Sequence, residues 1–297
     1  MSGQAATVAE LIDDATARIA STLGLQRREA RLEARVLIGH TLGVDHAWLI
    51  AHDRDQPTPA QRDAIASLTV RRAAGEPVAY LLGKREFFGL NFAVTPAVLI
   101  PRPETELLVQ LALERIPTDQ DRSVLDLGTG SGAVALALAV HRPLARILAV
   151  DRSPTALEVA RDNATSLGLR NLEFLLSDWY TGLGVKNFDI IVANPPYIAT
   201  GDAHLEHGDL RFEPREALQS EDGGLADIRR IVAGAPAHLR PGGWLLLEHG
   251  FDQGNACQRT MREQGYTQIS TRMDLAGHGR VTLGCAGYTP LCDDFQP

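Results

Sequence analysis

Phe188-Asp-Ile-Ile-Val-Ala-Asn194-Pro195-Pro196-Tyr197-Ile198 is the stretch on which the fold turns. Ile190 to Ala193 is an apolar, largely β-branched run, the pattern of a strand buried on both faces of a parallel sheet. Two prolines stop it, since neither donates to a sheet ladder and each holds φ at about −65°. Asn194 therefore stands at the carboxyl end of a buried strand, on a stiff turn that also carries the Tyr197 ring. A polar amide, two proline carbonyls and a flat ring at a sheet edge suit a planar, polar ligand. Taken alone, the tetrapeptide also reads as a strand end with Asn as turn former and Tyr as packing.

Upstream and downstream, strands alternate with helices, which predicts an α/β fold built on a parallel sheet. Val124-Leu-Asp126 is a strand, Gly128-Thr129-Gly130-Ser131-Gly132 a tight turn, and Ala133 to Val140 its helix. Ile147 to Asp151 is a second strand. Ser153-Pro154 caps a helix that ends at Gly168. Leu172 to Leu176 is a third strand, closing at Asp178-Trp179, and the fourth ends at Asn194. Leu239 to Gly243 reads as a turn into a fifth, Trp244 to Glu248. Tyr266 to Arg272 and Arg280 to Cys285 read as a late antiparallel hairpin.

The N-terminal quarter is different. Val8, Leu11, Ile12, Ala15, Ile19 and Leu23 recur at helical spacing before Gly24. A second periodic segment covers about Glu29 to Leu42. A third opens at Thr58-Pro59-Ala60-Gln61, an N-cap, a proline at the first helical position and a capping glutamine. Helices this short need tertiary packing, so they predict a small bundle. Val78 to Val94 reads as strands with glycine turns, a hairpin joining two domains. Pro101-Arg102-Pro103-Glu104-Thr105-Glu106 is stiff and charged, and reads either as a rigid linker or as the wall of a site.

The 297 residues, 44% hydrophobic and 22% charged, allow one large and one small domain with a sizeable core. No apolar run of about 18 residues occurs and the first ten residues lack an export pattern, so a cytoplasmic protein without a membrane span is expected. Cys257, Cys285 and Cys292 have no metal-ligand spacing, so reduced thiols and no metal site are expected. Of 29 basic and 37 acidic residues, residues 1–85 carry 11 and 10, leaving 18 and 27 beyond them. An acidic main domain argues against a large nucleic-acid substrate, whose affinity comes largely from neutralised phosphates.

The five parallel strand ends carry Asp126, Asp151, Asp178, Asn194 and Glu248, each an acid or an amide. Ligands of open α/β sheets bind outside these ends, near the switch in strand order. Gly128-x-Gly130-x-x-Ala133 fits only a loose dinucleotide fingerprint, and Asp151 suits the ribose of NAD or of any adenosyl cofactor. Three features turn the reading from NAD. Asp126 suits a ligand with a cationic amino acid, Asp178-Trp179 offers an acceptor and an indole to adenine, and Asn194-Pro-Pro-Tyr197 lies beside them.

Asp126-Leu-Gly-Thr-Gly-Ser-Gly132, Asp151 and Asn194-Pro-Pro-Tyr197 resemble the site of class I methyltransferases acting on planar nitrogens. Pro101 to Glu106, Arg211-Phe-Glu-Pro214 and Leu247-Glu-His-Gly250 narrow the resemblance to the protein-(glutamine) methyltransferases of peptide chain release factors, the HemK/PrmC family. A related group acting on a ribosomal protein shares Asn-Pro-Pro-Tyr but has serine where this chain has Pro103. The resemblance implies a Rossmann-like seven-stranded class I sheet over residues 101–285. It also implies a helical substrate-docking domain over 1–76, a hairpin linker over 77–100, and an extension over 286–297.

The implied cofactor is S-adenosyl-L-methionine, leaving as S-adenosyl-L-homocysteine. The implied cofactor residues are Asp126, Gly128, Thr129, Gly130, Ser131, Gly132, Asp151, Asp178, Trp179 and Asn194, with backbone N–H groups of the glycine turn facing the methionine part. Asn194, Pro195, Pro196 and Tyr197 would hold the substrate glutamine of a Gly-Gly-Gln motif. Asn194 and Pro195 would act as acceptors and Tyr197 as a stacking ring. A release factor as partner, no nucleic acid, no membrane and a monomer are expected. The rivals are an adenine N-methyltransferase, a ribosomal-protein glutamine methyltransferase, and a cofactor-binding regulator without chemistry.

Overall fold

The computed structural model describes residues 5–287, and the chain divides into two compact units, Met1–Lys84 with Ala203–Phe212, and Arg85–Asp202 with Glu213–Pro297. Cys292 and most of the expected C-terminal extension lie outside the described residues.

The first unit is helical: α1 (Val8–Leu23), α2 (Arg27–Leu42), α3 (His46–Ala51), α4 (Pro59–Ala73) and α5 (Val78–Leu82). Thr7 with Glu10 and Thr58 with Gln61 form capping boxes at α1 and α4. Gly24 and Gly43 close α1 and α2 in the left-handed conformation. Ile12, Ile19, Leu37, Ile38, Ile65 and Leu81 form one buried cluster. Arg72, only 5% exposed, ties α4 to Glu33 of α2 at 2.8 Å and to Asp209 at 3.1 Å. The segment 203–212 is thereby anchored within this unit.

Val78 to Leu82, expected as a strand, is the helical turn α5. Pro77 opens it and Gly83 ends it at φ +68, and a five-residue apolar run has no period that separates helix from strand. The hairpin itself follows, β1 (Lys84–Phe87) and β2 (Leu90–Ala93). Its turn residues Phe88 and Gly89 have φ +51 and +76, the positive pair of a two-residue hairpin turn.

The second unit is a seven-stranded sheet between helical layers. Its strands are β3 (Ser123–Leu127), β4 (Arg146–Asp151), β5 (Leu172–Leu176), β6 (Phe188–Ala193), β9 (Leu239–Glu248), β10 (Thr267–Met273) and β11 (Gly279–Cys285), while β7 (Ile198–Ala199) and β8 (Gln219–Ser220) form a separate two-stranded pair. The order is β10-β11-β9-β6-β3-β4-β5, parallel except for β11, antiparallel to both its neighbours. The chain moves outward from β3 to β5, then returns to the other side with β6, so the order switches between β3 and β6.

Side chains of β6 sort by the two-residue period of a strand. Ile190 and Val192 join the layer of α6 (Glu106–Leu113) and α7 (Ala133–His141), whereas Ile191 and Ala193 join that of α11 (Ala226–Gly234) and α12 (Gly254–Glu263). Leu239 to Gly243, expected as a turn, belongs to β9. The pairing shifts between Phe188 and Ile190, with Gly242 at φ +79, so an irregularity within the strand takes the place of a turn.

Candidate active site

Register brings the functional ends together. Leu127 pairs with Ala193, and Ala193 with Leu247, so Gly128, Asn194 and Glu248 follow side by side on three neighbouring strands. A cavity with about 800 Å³ of empty space opens there, lined among others by Gly128, Gly130, Asp151, Asp178, Trp179 and Asn194. A smaller one is lined by Arg102, Thr105, Asp126, Thr129, Ser131 and Asn194, with Gly128 and Gly130 shared between the two.

The glycine turn shapes the floor. Gly132 sits at φ +84 at the start of α7, where an added Cβ would lie 2.5 Å from Leu136 Cδ1. A Cβ on Gly128 would press on the Trp179 ring at 3.2 Å. Four of the turn's five N–H groups, expected to face a ligand, are bonded within the protein. Gly128 and Thr129 donate to the Val150 carbonyl, Gly132 to that of Thr129, and Gly130 to Asp151 Oδ2 at 2.9 Å. These four groups close the turn on the protein, so they offer a ligand close backbone approach rather than hydrogen bonds.

Asp151 accepts from Gly130 and, through Oδ1, from the Ser153 N–H at 2.9 Å. Each oxygen keeps a further lone pair. Asp178 pairs through Oδ2 with Arg230 at 2.9 Å, while its Oδ1 is buried without a partner. Trp179 adopts φ +51, an uncommon conformation for a bulky residue. Its Nε1 donates to Asp227 Oδ1 at 3.1 Å, and Ser220 Oγ donates to Asp227 Oδ2 at 2.7 Å. Asp227, absent from the sequence reading, thus orients the indole.

Asp126 is 2% exposed, and burial pushes its carboxyl up to about 7 against hydrogen bonds from the Thr129 hydroxyl and the Ala135 N–H. A buried acid that resists ionisation in the free protein is prepared for a cationic partner.

At the proline-locked corner, Asn194 Nδ2 donates to Thr105 Oγ1 at 3.1 Å. Pro196 lines the larger cavity. Pro195 is buried, and neither it nor Tyr197 lines either cavity. Tyr197 packs on the α11 side of the sheet, with its hydroxyl 3.5 Å from Glu248 Oε1. Burial, then the nearby Glu248 carboxyl, raise its phenol. The wall is clamped by Glu213, buried, which pairs with Arg102 and accepts the Ile100 N–H at 3.0 Å. Glu106 Oε1 accepts the Phe88 N–H of the hairpin turn at 2.9 Å.

Residues 10–83 match the family described as PrmC N-terminal domain, and residues 104–226 the family described as Methyltransferase small domain. A release factor glutamine methyltransferase of Bordetella pertussis is 52% identical over 255 residues, 86% of this chain and 94% of that protein. The chain belongs to the release factor glutamine methyltransferase family. A second member, from Xylella fastidiosa, is 48% identical and covers 91% of this chain and 98% of its own length. The solved 16S rRNA N2 G1207 methyltransferase of T. thermophilus, in complex with AdoMet and guanosine, is similar in fold at a TM-score of 0.51 and 23% identity, covering 68% of this chain and 49% of its own.

In this family member, Asp227 had no sequence signal, since an acid in a helix's first turn is commonplace. Glu248 was visible only as a strand-end acid. His249 is held between the Gly250 carbonyl, 2.8 Å from Nδ1, and Thr282 Oγ1, 2.8 Å from Nε2; burial lowers its pKa. His204 and His207 lie in the segment 203–212 of the first unit.

Proposed function

We propose that this chain transfers a methyl group from S-adenosyl-L-methionine to the side-chain amide nitrogen of the glutamine in a release factor's Gly-Gly-Gln motif. The observation that carries this reading is the Asn194 amide. One Nδ2 hydrogen is engaged by Thr105, which turns the NH2 end of the amide toward Thr105 and leaves Oδ1, an acceptor, as the group that suits a donor ligand. An acceptor at the carboxyl end of a buried strand suits a flat –NH2 donor.

The larger cavity has the chemistry an adenosyl cofactor needs. Asp151 has acceptor capacity for ribose hydroxyls, the unpartnered Asp178 Oδ1 suits an exocyclic amine, and the Trp179 ring suits adenine. Asp126 lines the adjoining space and suits an α-ammonium group. When bound, S-adenosylmethionine supplies an electrophilic methyl on a sulfonium.

The protein's own work is positioning and electrostatics. A glutamine nitrogen is a poor nucleophile because its lone pair is delocalised into the carbonyl. Asn194 Oδ1 accepts from the amide N–H, joined by the Pro195 carbonyl, and both attractions strengthen as the nitrogen gains positive character. Tyr197 stacks on the amide plane once substrate enters. No side chain is assigned as general base, since a protonated N-alkyl amide loses its proton to water.

The helical segment 1–76 docks the release factor, and the chain works as a cytoplasmic monomer. Adenine methylation fits less well, because the residues after 85 carry 18 basic against 27 acidic side chains. Incubation with labelled S-adenosylmethionine and either a release factor or DNA tests the reading. Label on the Gly-Gly-Gln glutamine supports it. Label in DNA, or in neither, refutes it.

A further inference from the structure

We propose that Gln253 is a positioning residue, whose side-chain amide pins the Asn194-Pro195-Pro196-Tyr197 corner to the loop after β9 and so sets where the corner's acceptors stand against the substrate amide. The inference rests on the reading of that corner as the amide-binding site. Pro195 and Pro196 have no N–H to donate. The turn therefore has two fewer donors with which to anchor itself, and anchoring falls to the residues around it.

Gln253 supplies that anchor. Its Nε2 donates to the Tyr197 carbonyl at 3.0 Å and, more weakly, to that of Gly223 at 3.4 Å. Its Oε1 accepts the Gly250 N–H at 2.9 Å. Two carbonyls at one end and an N–H at the other leave the amide a single orientation. Turned over, it would set oxygen against two oxygens and NH2 against N–H. The far side of this clasp is braced. The Gly250 carbonyl accepts the Gln253 N–H at 2.9 Å and lies 2.8 Å from His249 Nδ1. The His249 ring meets Thr282 Oγ1 of β11 at 2.8 Å, and Thr282 meets Thr271 of β10 at 2.7 Å. Gln253 thus holds the corner against the ends of β9, β11 and β10 together.

Close packing completes the clasp. Gly224 has φ +86, and a Cβ there would collide with the Tyr197 carbonyl oxygen and lie 2.8 Å from Gln253 Nε2, so glycine alone admits both groups. Gly223 and Gly224 belong to the turn that leads to Asp227, the acceptor of the Trp179 indole. One side chain therefore ties the amide corner to the segment that orients the cofactor side. That suits a reaction in which nitrogen and methyl must be held in line, where a shift of about 1 Å costs about 100-fold in rate.

The test uses the full chain with saturating S-adenosylmethionine and a whole release factor, comparing wild type with Gln253→Ala, Asn194→Ala and the double variant. We expect Gln253→Ala to lower kcat about 10- to 100-fold, the range for a misplaced reacting group. KM for the release factor and Kd for the cofactor should stay within about threefold. In the Asn194→Ala background the same substitution should cost about fivefold at most, because the main acceptor that it places is already gone. Should Gln253→Ala not fold, Gln253→Met keeps the volume without the hydrogen bonds and reads the same quantities. The proposal is overturned if the Gln253 variant keeps wild-type kcat, if its loss appears in KM or cofactor affinity instead, or if the two losses multiply in the double variant. Wild-type rate in Asn194→Ala refutes the corner reading itself. A wild type that leaves the release factor unmethylated refutes the proposed activity, a distinct result.

Discussion

Asp126→Asn should make the folded protein more stable at pH 8 and less stable at pH 4. In the folded chain the Asp126 carboxyl is pushed from 3.8 up to about 7, first by burial. The sign follows from which state holds the proton more tightly. Below pH 3.8 folded and unfolded forms are both protonated and burial of this group is tolerated. Between about 4 and 7 the unfolded chain ionises first, so stability falls as pH rises. Above 7 the loss is complete. About three pKa units correspond to about 4 kcal/mol. Asparagine removes that pH-dependent loss, but its NH2 replaces one of the oxygens serving Thr129 Oγ1 and the Ala135 N–H, which costs about 1–3 kcal/mol.

The net expectation is a gain of about 1–3 kcal/mol at pH 8 and a loss of similar size at pH 4. Denaturant unfolding of wild type and variant across this range, followed by tryptophan emission, reads the difference directly. Glu248 titrates in both proteins and cancels. Parallel stability–pH curves would refute the idea that burial, rather than a compensating partner, controls Asp126. The same substitution should weaken S-adenosylmethionine at least about tenfold, one charge-assisted contact, so stability and ligand affinity move in opposite directions.

Other expectations are narrower. Asp227→Ala removes the acceptor of the Trp179 indole and should weaken cofactor binding about tenfold by calorimetry, with kcat at saturation little changed; unchanged affinity would show that the indole needs no orientation. Glu213→Gln breaks the Arg102 pair and should destabilise by about 1–3 kcal/mol in denaturant, with no loss marking the clamp as dispensable. Gly132→Ala forces φ +84 on a residue with a Cβ and drives it to 2.5 Å from Leu136 Cδ1. It should cost about 2 kcal/mol or more, and a wild-type midpoint would show that the turn can relax.

Much of the second unit was legible because its signals are local. A β-branched run stopped by two prolines defines β6, and glycine turns and helix caps mark where each crossover begins. Strand-end acids were legible as a set because the carboxyl ends of parallel strands lie along one edge. What escaped depends on partners far apart in sequence. Asn194 and Thr105 are 89 positions apart, and Trp179 and Asp227 are 48 apart, so no window contains both. The segment 203–212 gave no hint that Asp209 would meet Arg72, because its own residues are those of an ordinary polar loop. Val78 to Leu82 misled for a different reason. Five apolar residues carry too little period, and packing of Leu81 into the helical cluster settled the matter.

The central claim is that Asn194 acts as an acceptor for a substrate amide, and single-turnover methylation of a whole release factor by Asn194→Ala tests it most directly. Cofactor affinity measured in parallel should change less than about threefold, while the transfer rate drops about 100-fold or more, as for the loss of a transition-state hydrogen bond. A rate within about tenfold of wild type, or a loss confined to cofactor binding, would contradict it.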